Sequence, residues 1–595
     1  MQKNFCGFKL SKSIPFIFII PLIISCLTFL LKTAVGPFWL SPNFDPSYLY
    51  LFNSLYIVDH LTPSFVTHPG TPLQIIGALV IRIFHPLANS RHIVIDICRN
   101  PEIYLNLIYS FLYILFFISL ILVGWYAYKR TKNLLFALFI QSGGFLYLTL
   151  RSYDWDDYVL PIITNVNAET LIITICNLYT ICLIKLFFTH KPIPVSIWFG
   201  IVCGVGVASK LTFIPLLVAP LILLPKIKHR LIFIFFCLFS FFVSTIPVLP
   251  RYSQIFVWYF YVLTHKGFHA TGSVGFVNLA SFIATVKRTL AVNWFFFLFQ
   301  SVSLGSVILY KKYIFKYTSD TSTKGFSDVL KFLLTLGVVS VIHVIMIGKQ
   351  PASHYISPLI GLFGFIAGIT YWFFRSIVYP QYNRWVDMVA YIFLIVFIFT
   401  NTVYAMYFQR KLNDVNTEIY NFSKMVYSKY KGCIVSGYYR SSSKEFALDF
   451  GDYNAGNKVY GGILRSLYPH TILYNFWERR HHRFGKTVPY TKLAEICPCL
   501  LLYGSKCDFS RKSFIVEEIA SNRREALYRI KSSTAGEALA HYIKSKVFYI
   551  KHDYINAYRH ALKADYYGFP RMEQYLNQLR DLLGRQADKI HQGLK

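Results

Sequence analysis

As far as Phe408 the chain alternates between long apolar runs and short polar stretches. Eleven runs read as membrane spans: residues 14–32, 103–128, 133–150, 168–188, 195–208, 211–224, 231–249, 291–310, 329–347, 356–374 and 387–408. A helix rises about 1.5 Å per residue, so about 20 apolar residues cross a hydrocarbon core about 30 Å thick. The two runs that flank Lys210 are the shortest.

Beyond Arg410 the pattern changes. Residues 432–438 and 499–503 read as strands, and residues 443–450 as a short helix between them. Residues 536–583 return to helical spacing, with Ala538, Tyr542, Tyr554, Ala557, Tyr558, Ala561 and Leu562 on the repeat. That last stretch resembles a single tetratricopeptide unit. The expected architecture is a polytopic α-helical membrane protein of about eleven transmembrane helices with a small C-terminal α/β plus helical extramembrane domain. Its parts are a transmembrane domain over 1–409, a small α/β domain over 410–531 and a helical tail over 532–595.

Composition agrees. The chain has 595 residues, 55% of them hydrophobic, and a mean hydropathy of +0.44. Only 15% are charged, against about 25% in soluble domains. A soluble fold of this size has too much surface to hide that much apolar area. The net charge of +32 would suggest nucleic acid in a soluble chain. Here the cations sit in clusters between spans, which points to membrane topology and anionic lipid phosphates, and no nucleic-acid partner is expected.

Cytoplasmic loops are the ones enriched in Lys and Arg. Alternate threading of the spans puts Lys3, Lys9, Lys12, Lys129, Arg130, Lys132, Lys185, Lys191, Lys226, Lys228, Arg230, Lys311, Lys312, Lys316, Arg375 and Arg384 on one side. The expected topology is multi-pass, with a cytoplasmic N-terminus on a retained signal anchor and a C-terminal domain on the opposite, periplasmic or luminal side. The outer side then receives the loops 33–102, 151–167 and 251–290, the turns at Lys210 and 348–355, and the tail. Within the first outer loop, residues 73–84 are amphipathic and suit the interface. Four cysteines, Cys433, Cys497, Cys499 and Cys507, lie in the tail. A disulfide is open to them in an oxidising compartment, with no pairing implied.

Polar residues that carry chemistry collect at the outer ends of spans. The first loop opens Ser41-Pro-Asn-Phe-Asp45-Pro-Ser-Tyr48 and continues to Thr67-His68-Pro69-Gly70-Thr71-Pro72. Further along come Asn167-Ala168-Glu169-Thr170-Leu171, Ala208-Ser209-Lys210-Leu211-Thr212, and Gly348-Lys349-Gln350-Pro351-Ala352-Ser353-His354-Tyr355-Ile356-Ser357-Pro358. In order, spacing and common side this set resembles the GT-C glycosyltransferases that use polyprenyl-phosphate sugars, such as the lipid A aminoarabinose transferases and protein O-mannosyltransferases. The resemblance covers residues 14–408 in layout. It departs where Asp45 is followed by Pro46 instead of a second acid, and where the His-Pro-Pro turn is His68-Pro69-Gly70.

The resemblance implies an inverting transferase of a bacterial inner (cytoplasmic) membrane, with its C-terminal domain periplasmic, no cofactor and no catalytic metal. A lipid-linked sugar would be the donor, membrane lipids would surround it, and a glycan, lipid or protein would supply the acceptor hydroxyl. Sugar transfer from a lipid phosphate needs a base for that hydroxyl and cations for the leaving phosphate. Asp45 is the expected base, set against a helix-capping role. Lys210 interrupts an apolar stretch, where a cation is costly unless it snorkels or works; it is expected on the phosphate. Lys349, His354 and Tyr355 are expected there too, against an interfacial Lys, a solvated His and a belt Tyr. His68 is expected to orient the first loop or meet the acceptor, against a plain turn. A second acidic site, Asp154, Asp156 and Asp157, is weighed against a solvated loop. His265 and His269 are spaced for a helix-borne metal pair, which Gly267 disfavours. The run Arg479-Arg480-His481-His482-Arg483 is read as an exposed basic face. Asp45, Lys210 and Lys349 are expected to meet in one pocket beyond the lipid boundary.

Other classes stay in view. A transporter or flippase would concentrate broken helices and charge at the midplane. An oligosaccharide ligase or polymerase would share the layout but take a diphosphate-linked donor. A non-catalytic assembly factor would work through the helical tail.

Overall fold

The computed structural model describes residues 14–66, 70–155, 158–189, 191–267, 272–313, 323–349, 352–377, 380–456, 459–475, 480–488, 499–506, 514–533, 542, 544–546, 548–550, 552–566, 572–583, 586–587 and 590. The chain divides into two compact units. One comprises Met1–Gly36 and Pro46–Asp414, the other Pro37–Asp45 and Val415–Lys595.

The first unit is a helical membrane domain. It begins with α1 (Ile19–Val35), the helix α2 (Phe44–Val58) that starts at the unit boundary, then α3 (Thr71–Phe84), α4 (Ser90–Arg99) and α5 (Pro101–Thr131). Two short helices follow, α6 (Leu134–Ser142) and α7 (Gly144–Leu148), and a hairpin of β1 (Arg151–Trp155) and β2 (Tyr158–Pro161). Next come α8 (Ala168–Phe188), α9 (Pro192–Ser209), a 3-10 segment Leu211–Leu217, α10 (Val218–Leu223), α11 (Ile227–Ser244) and α12 (Tyr252–Thr264). The set closes with α13 (Leu279–Val292), α14 (Trp294–Tyr313), α15 (Thr323–Lys349), a 3-10 turn Ser353–Ile356, α16 (Ser357–Ile360), α17 (Phe363–Ile377) and α18 (Asn383–Lys429).

Among the described residues eight helices are long and apolar enough to cross a membrane, or nine if the bent pair α13 and α14 counts as one. The eleven expected spans are therefore a correction in kind. Residues 133–150 break at Gly143-Gly144 into two short helices, and residues 211–224 carry Pro215 and Pro220 and form a 3-10 stretch with one short turn of α-helix. Proline removes a backbone donor and clashes with the preceding turn, which ends regular helix there. Residues 291–310 become a helix joined to α13 across a 79° bend.

Burial sorts the helices. Leu231, Phe235, Leu238, Phe239 and Phe242 on α11 are exposed, as are Val389, Ile392, Ile395, Val396 and Phe399 on α18. Lipid is the solvent that such faces require. The span His354–Ile377 is instead mostly enclosed. Its Phe363 stacks on Phe397 (5.2 Å between ring centres) and lies near Phe295 (5.7 Å), which ties α17 to α18 and α14. Backbones of α9 and α11 touch where Gly200 and Gly204 fall four apart. A Cβ at Gly204 would lie 2.4 Å from the Cys237 carbonyl oxygen, and one at Gly200 would lie 2.7 Å from that of Phe233. Small residues at this spacing allow close helix approach in lipid.

The second unit is built on a seven-stranded sheet in the order β6-β5-β4-β3-β7-β9-β8. Its strands are β3 (Ile434–Gly437), β4 (Leu473–Asn475), β5 (Arg480–Arg483), β6 (Lys486–Thr487), β7 (Leu500–Ser505), β8 (Phe514–Ser521) and β9 (Glu525–Ser533). β3 is parallel to both β4 and β7, and the remaining pairs are antiparallel. Between β3 and β4 lie α19 (Lys444–Asn454) and α20 (Gly461–Leu467). Ser443 caps α19 by accepting from the Phe446 N–H at 3.2 Å. Cys433 and Cys499 form a disulfide beside the paired first residues of β3 and β7; Cys497 and Cys507 lie outside the described residues. A helix pair, α21 (Tyr554–Tyr566) and α22 (Met572–Leu583), packs Ala557, Tyr558 and Ala561 against Met572, Leu576 and Leu579.

The basic run expected on an exposed face lies partly inside. His481 and His482 are each 3% exposed on β5, although neighbours on a strand point to opposite faces; both faces of β5 are therefore covered there. Ser436 Oγ lies 3.2 Å from His481 Nδ1, and burial pulls this imidazole down to about 4. Arg479 is outside the described residues.

Candidate functional site

Three helix ends converge in the membrane unit. The start of α8 is fixed by Asn167, whose side chain accepts from the Thr170 N–H at 2.8 Å. This cap places Glu169 in the first helical turn, where the helix dipole favours a carboxylate. α9 stops as Lys210 turns extended (φ −164°, ψ 141°), which sends its side chain away from the helix. The Lys210 ammonium pairs with Glu169 Oε1. The third end is the 3-10 turn before α16. It brings His354 Nε2 to 3.4 Å from the same Glu169 oxygen and sets the Tyr355 ring 4.6 Å from the Lys210 ammonium.

The cluster is largely buried and anchored. Lys210 is 6% exposed and Glu169 4%. The Tyr355 carbonyl accepts from buried His343 Nε2 at 2.8 Å, which ties the turn to α15. The first loop reaches the same place through its backbone: the Gly70 N–H donates to the Ser209 carbonyl at 3.0 Å. Gly70 adopts φ +52°, and a Cβ there would fall 2.5 Å from the Tyr50 ring, so the turn requires glycine.

A buried ammonium–carboxylate pair adds little net stability, because desolvation offsets its attraction. Inside a membrane domain such groups are functional candidates by default. The Tyr355 ring face adds a cation–π contact to Lys210. Chemically the cluster offers two nitrogen donors, Lys210 and His354, held by one shared carboxylate.

The structure thus brings together Lys210, His354 and Tyr355, and adds Glu169, which the sequence marked only as the polar start of a span. Lys349 makes different contacts: its ammonium donates to the Leu263 and Phe276 carbonyls at 3.0 and 2.6 Å and lies 4.2 Å from the Phe276 ring. It clasps the two ends of the α12–α13 connection. Asp154 lies on β1, which packs against the Ser353–Ile356 turn; Asp156, Asp157, His68 and His269 lie outside the described residues. Asp45 belongs to the other unit. It takes an extended backbone (φ −97°, ψ 119°) ahead of Pro46, the conformation that a following proline favours. Among the described residues no group of three or more His, Cys, Asp or Glu has the placement to hold a metal ion.

No protein-family model matches the chain, and no curated protein matches it. Among solved structures, a crystal structure of ArnT from Cupriavidus metallidurans bound to undecaprenyl phosphate is similar over 85% of this chain and 97% of that one. The identity is 10% and the TM-score 0.43. A likeness at that level assigns neither family nor chemistry.

Proposed function

We propose that the protein is a membrane glycosyltransferase that moves a monosaccharide from a polyprenyl-phosphate donor to an acceptor hydroxyl at the outer face of the membrane. The observation that carries this reading is the meeting of Lys210, His354 and Tyr355 around Glu169 at the ends of three helices. Before donor arrives, Glu169 neutralises Lys210. The donor phosphate then takes hydrogen bonds from the Lys210 ammonium and from a His354 ring N–H, charge-assisted bonds that strengthen as the leaving group gains charge. Glu169 keeps both donors aimed. The acceptor oxygen attacks the anomeric carbon, the carbon–oxygen bond to phosphate breaks, and the phosphate departs with the electron pair.

Asp45 takes the hydroxyl proton in this scheme. Glu169 is the second reading for that base, because it is the carboxylate already within the cluster. The disulfide between Cys433 and Cys499 supports an oxidising, periplasm-like compartment for the C-terminal unit.

Removal of the pair separates function from structure. Lys210→Met leaves Glu169 buried without its ammonium, with His354 at 3.4 Å still beside it, and should destabilise the fold by about 3–5 kcal/mol. The double variant Lys210→Met/Glu169→Leu should regain thermal stability yet make no product. A double variant that is both stable and fully active would assign the pair to folding alone.

A further inference from the structure

Ligands of open α/β sheets bind at the carboxyl ends of parallel strands, where successive crossovers leave in opposite directions. In the C-terminal unit that point lies between β3 and β7. From β3 the chain moves to β4 on one side and later returns to β7 on the other. The loop that leaves β3 carries three consecutive buried serines, Ser441, Ser442 and Ser443. What lies against this loop is the protein's own first-loop segment, Pro37–Asp45, which belongs to the same unit.

The fit is specific. The Ser41 N–H donates to Ser442 Oγ at 3.1 Å. The Phe44 ring packs edge-on against Phe446 and Phe450 of α19, at 5.5 and 4.8 Å, and Trp39 lies 5.8 Å from Tyr420. Phe38, Leu40, Asn43 and Phe44 are buried. Turns inside the segment carry this anchorage forward: the Asn43 N–H donates to the Leu40 carbonyl at 2.7 Å, and the Asp45 N–H to that of Pro42 at 3.2 Å.

Ser442 is itself held. Its N–H donates to Glu525 Oε1 at 3.0 Å, and its carbonyl accepts from Ser423 Oγ at 2.7 Å. The other Glu525 oxygen accepts from the Tyr503 hydroxyl at 2.5 Å. A carboxyl buried to 2% exposure is a costly way to fill space; here both of its oxygens serve the seat. Burial pushes this carboxyl up to about 7, against the pull of its hydrogen bonds from Ser442 and Tyr503.

We infer that the α/β unit is a seat for the first loop, and that Ser442, held by Glu525 and Ser423, is a positioning residue that fixes residues 41–45 and with them the Asp45 carboxylate. This rests on the role given to Asp45 above. The C-terminal unit is then a part of the transferase whose ligand is a segment of the same chain.

Ser442→Ala removes the acceptor for the Ser41 N–H together with the hydrogen bond of the Ser442 hydroxyl to Glu525, and leaves the Ser442 backbone bonds in place. In the full-length protein, hydrogen exchange of residues 38–45 should rise about tenfold, while α19 and β7 stay as in the wild type. Turnover should fall about tenfold or more with KM for a polyprenyl-phosphate sugar unchanged, since misplacement of a reacting group by about 1 Å can cost about 100-fold. Should Ser442→Ala also loosen β7, Glu525→Gln makes the same comparison with an acceptor kept for the Ser442 N–H. Unchanged exchange at 38–45 in both variants overturns the seat. Raised exchange with unchanged turnover overturns the positioning role. Asp45→Asn runs alongside: full activity there removes Asp45 from the chemistry, whereas an inactive Asp45→Asn beside a fully active Ser442→Ala removes the positioning role only.

Discussion

Lys210 and Glu169 show how far single residues can be read. A lysine inside an apolar run is visible in the sequence, because its cost there demands a reason. Its partner was visible only as the Glu in the polar start of a span, and nothing local says that residues 41 positions apart touch. The same limit hid His481 and His482: a basic run reads as surface unless the strand order that covers both faces is known. Buried titratable groups in the C-terminal unit also make its stability depend on pH in two opposed ways. Glu525 titrates near 7 in the folded chain against 4.5 as an ordinary Glu. Between those values the native state holds a proton that the unfolded chain has lost, so stability falls as pH rises. His481 titrates near 4 against 6.5; the unfolded chain takes up the proton first, so stability rises with pH over that window. From 4.5 to 6.5 the two slopes cancel. Glu525→Gln should unmask the rising limb, at most about 1.4 kcal/mol per pH unit. Denaturant unfolding from pH 5 to 6, followed through exchange of β7 and β9, measures it, and an equally flat variant contradicts it.

Elements were legible in proportion to their length and regularity. The long runs became long helices, and the strands expected around residues 432–438 and 499–503 became β3 and β7, with a helix after β3. Prolines and paired glycines broke the shorter runs, and the angle between α13 and α14 depends on packing that no window of sequence contains. The hairpin of β1 and β2 was not legible, because alternation over so few residues gives no usable period. Helix contacts carry their own test. Gly204 meets the Cys237 carbonyl with no room for a side chain, so Gly204→Leu should push α9 from α11 at a cost of about 1–3 kcal/mol. Because α9 ends at Lys210, the variant should also lose donor binding. A variant of wild-type melting temperature would show that the two helices do not meet at this glycine.

At the scale of the whole molecule, the chain is a helical membrane unit and an α/β unit that claims residues 37–45 of the first loop. Composition made the membrane unit plain: apolar surface of this extent has no soluble solution. The claim on residues 37–45 was beyond sequence reading, since it depends on the Ser41 N–H meeting the Ser442 hydroxyl 401 positions away and on ring contacts between segments as distant. Transport, diphosphate-dependent ligation and monosaccharide transfer all accommodate such a layout, and they part only in what leaves the donor. The direct measurement is therefore mass analysis of the lipid released when the purified, reconstituted protein meets polyprenyl-phosphate sugar and envelope acceptors. The account predicts free polyprenyl monophosphate in equal amount to one-sugar product, and neither from Lys210→Met/Glu169→Leu. Intact donor moved across the bilayer without product, or no turnover of this donor beside turnover of a diphosphate-linked one supplied in parallel, would contradict it.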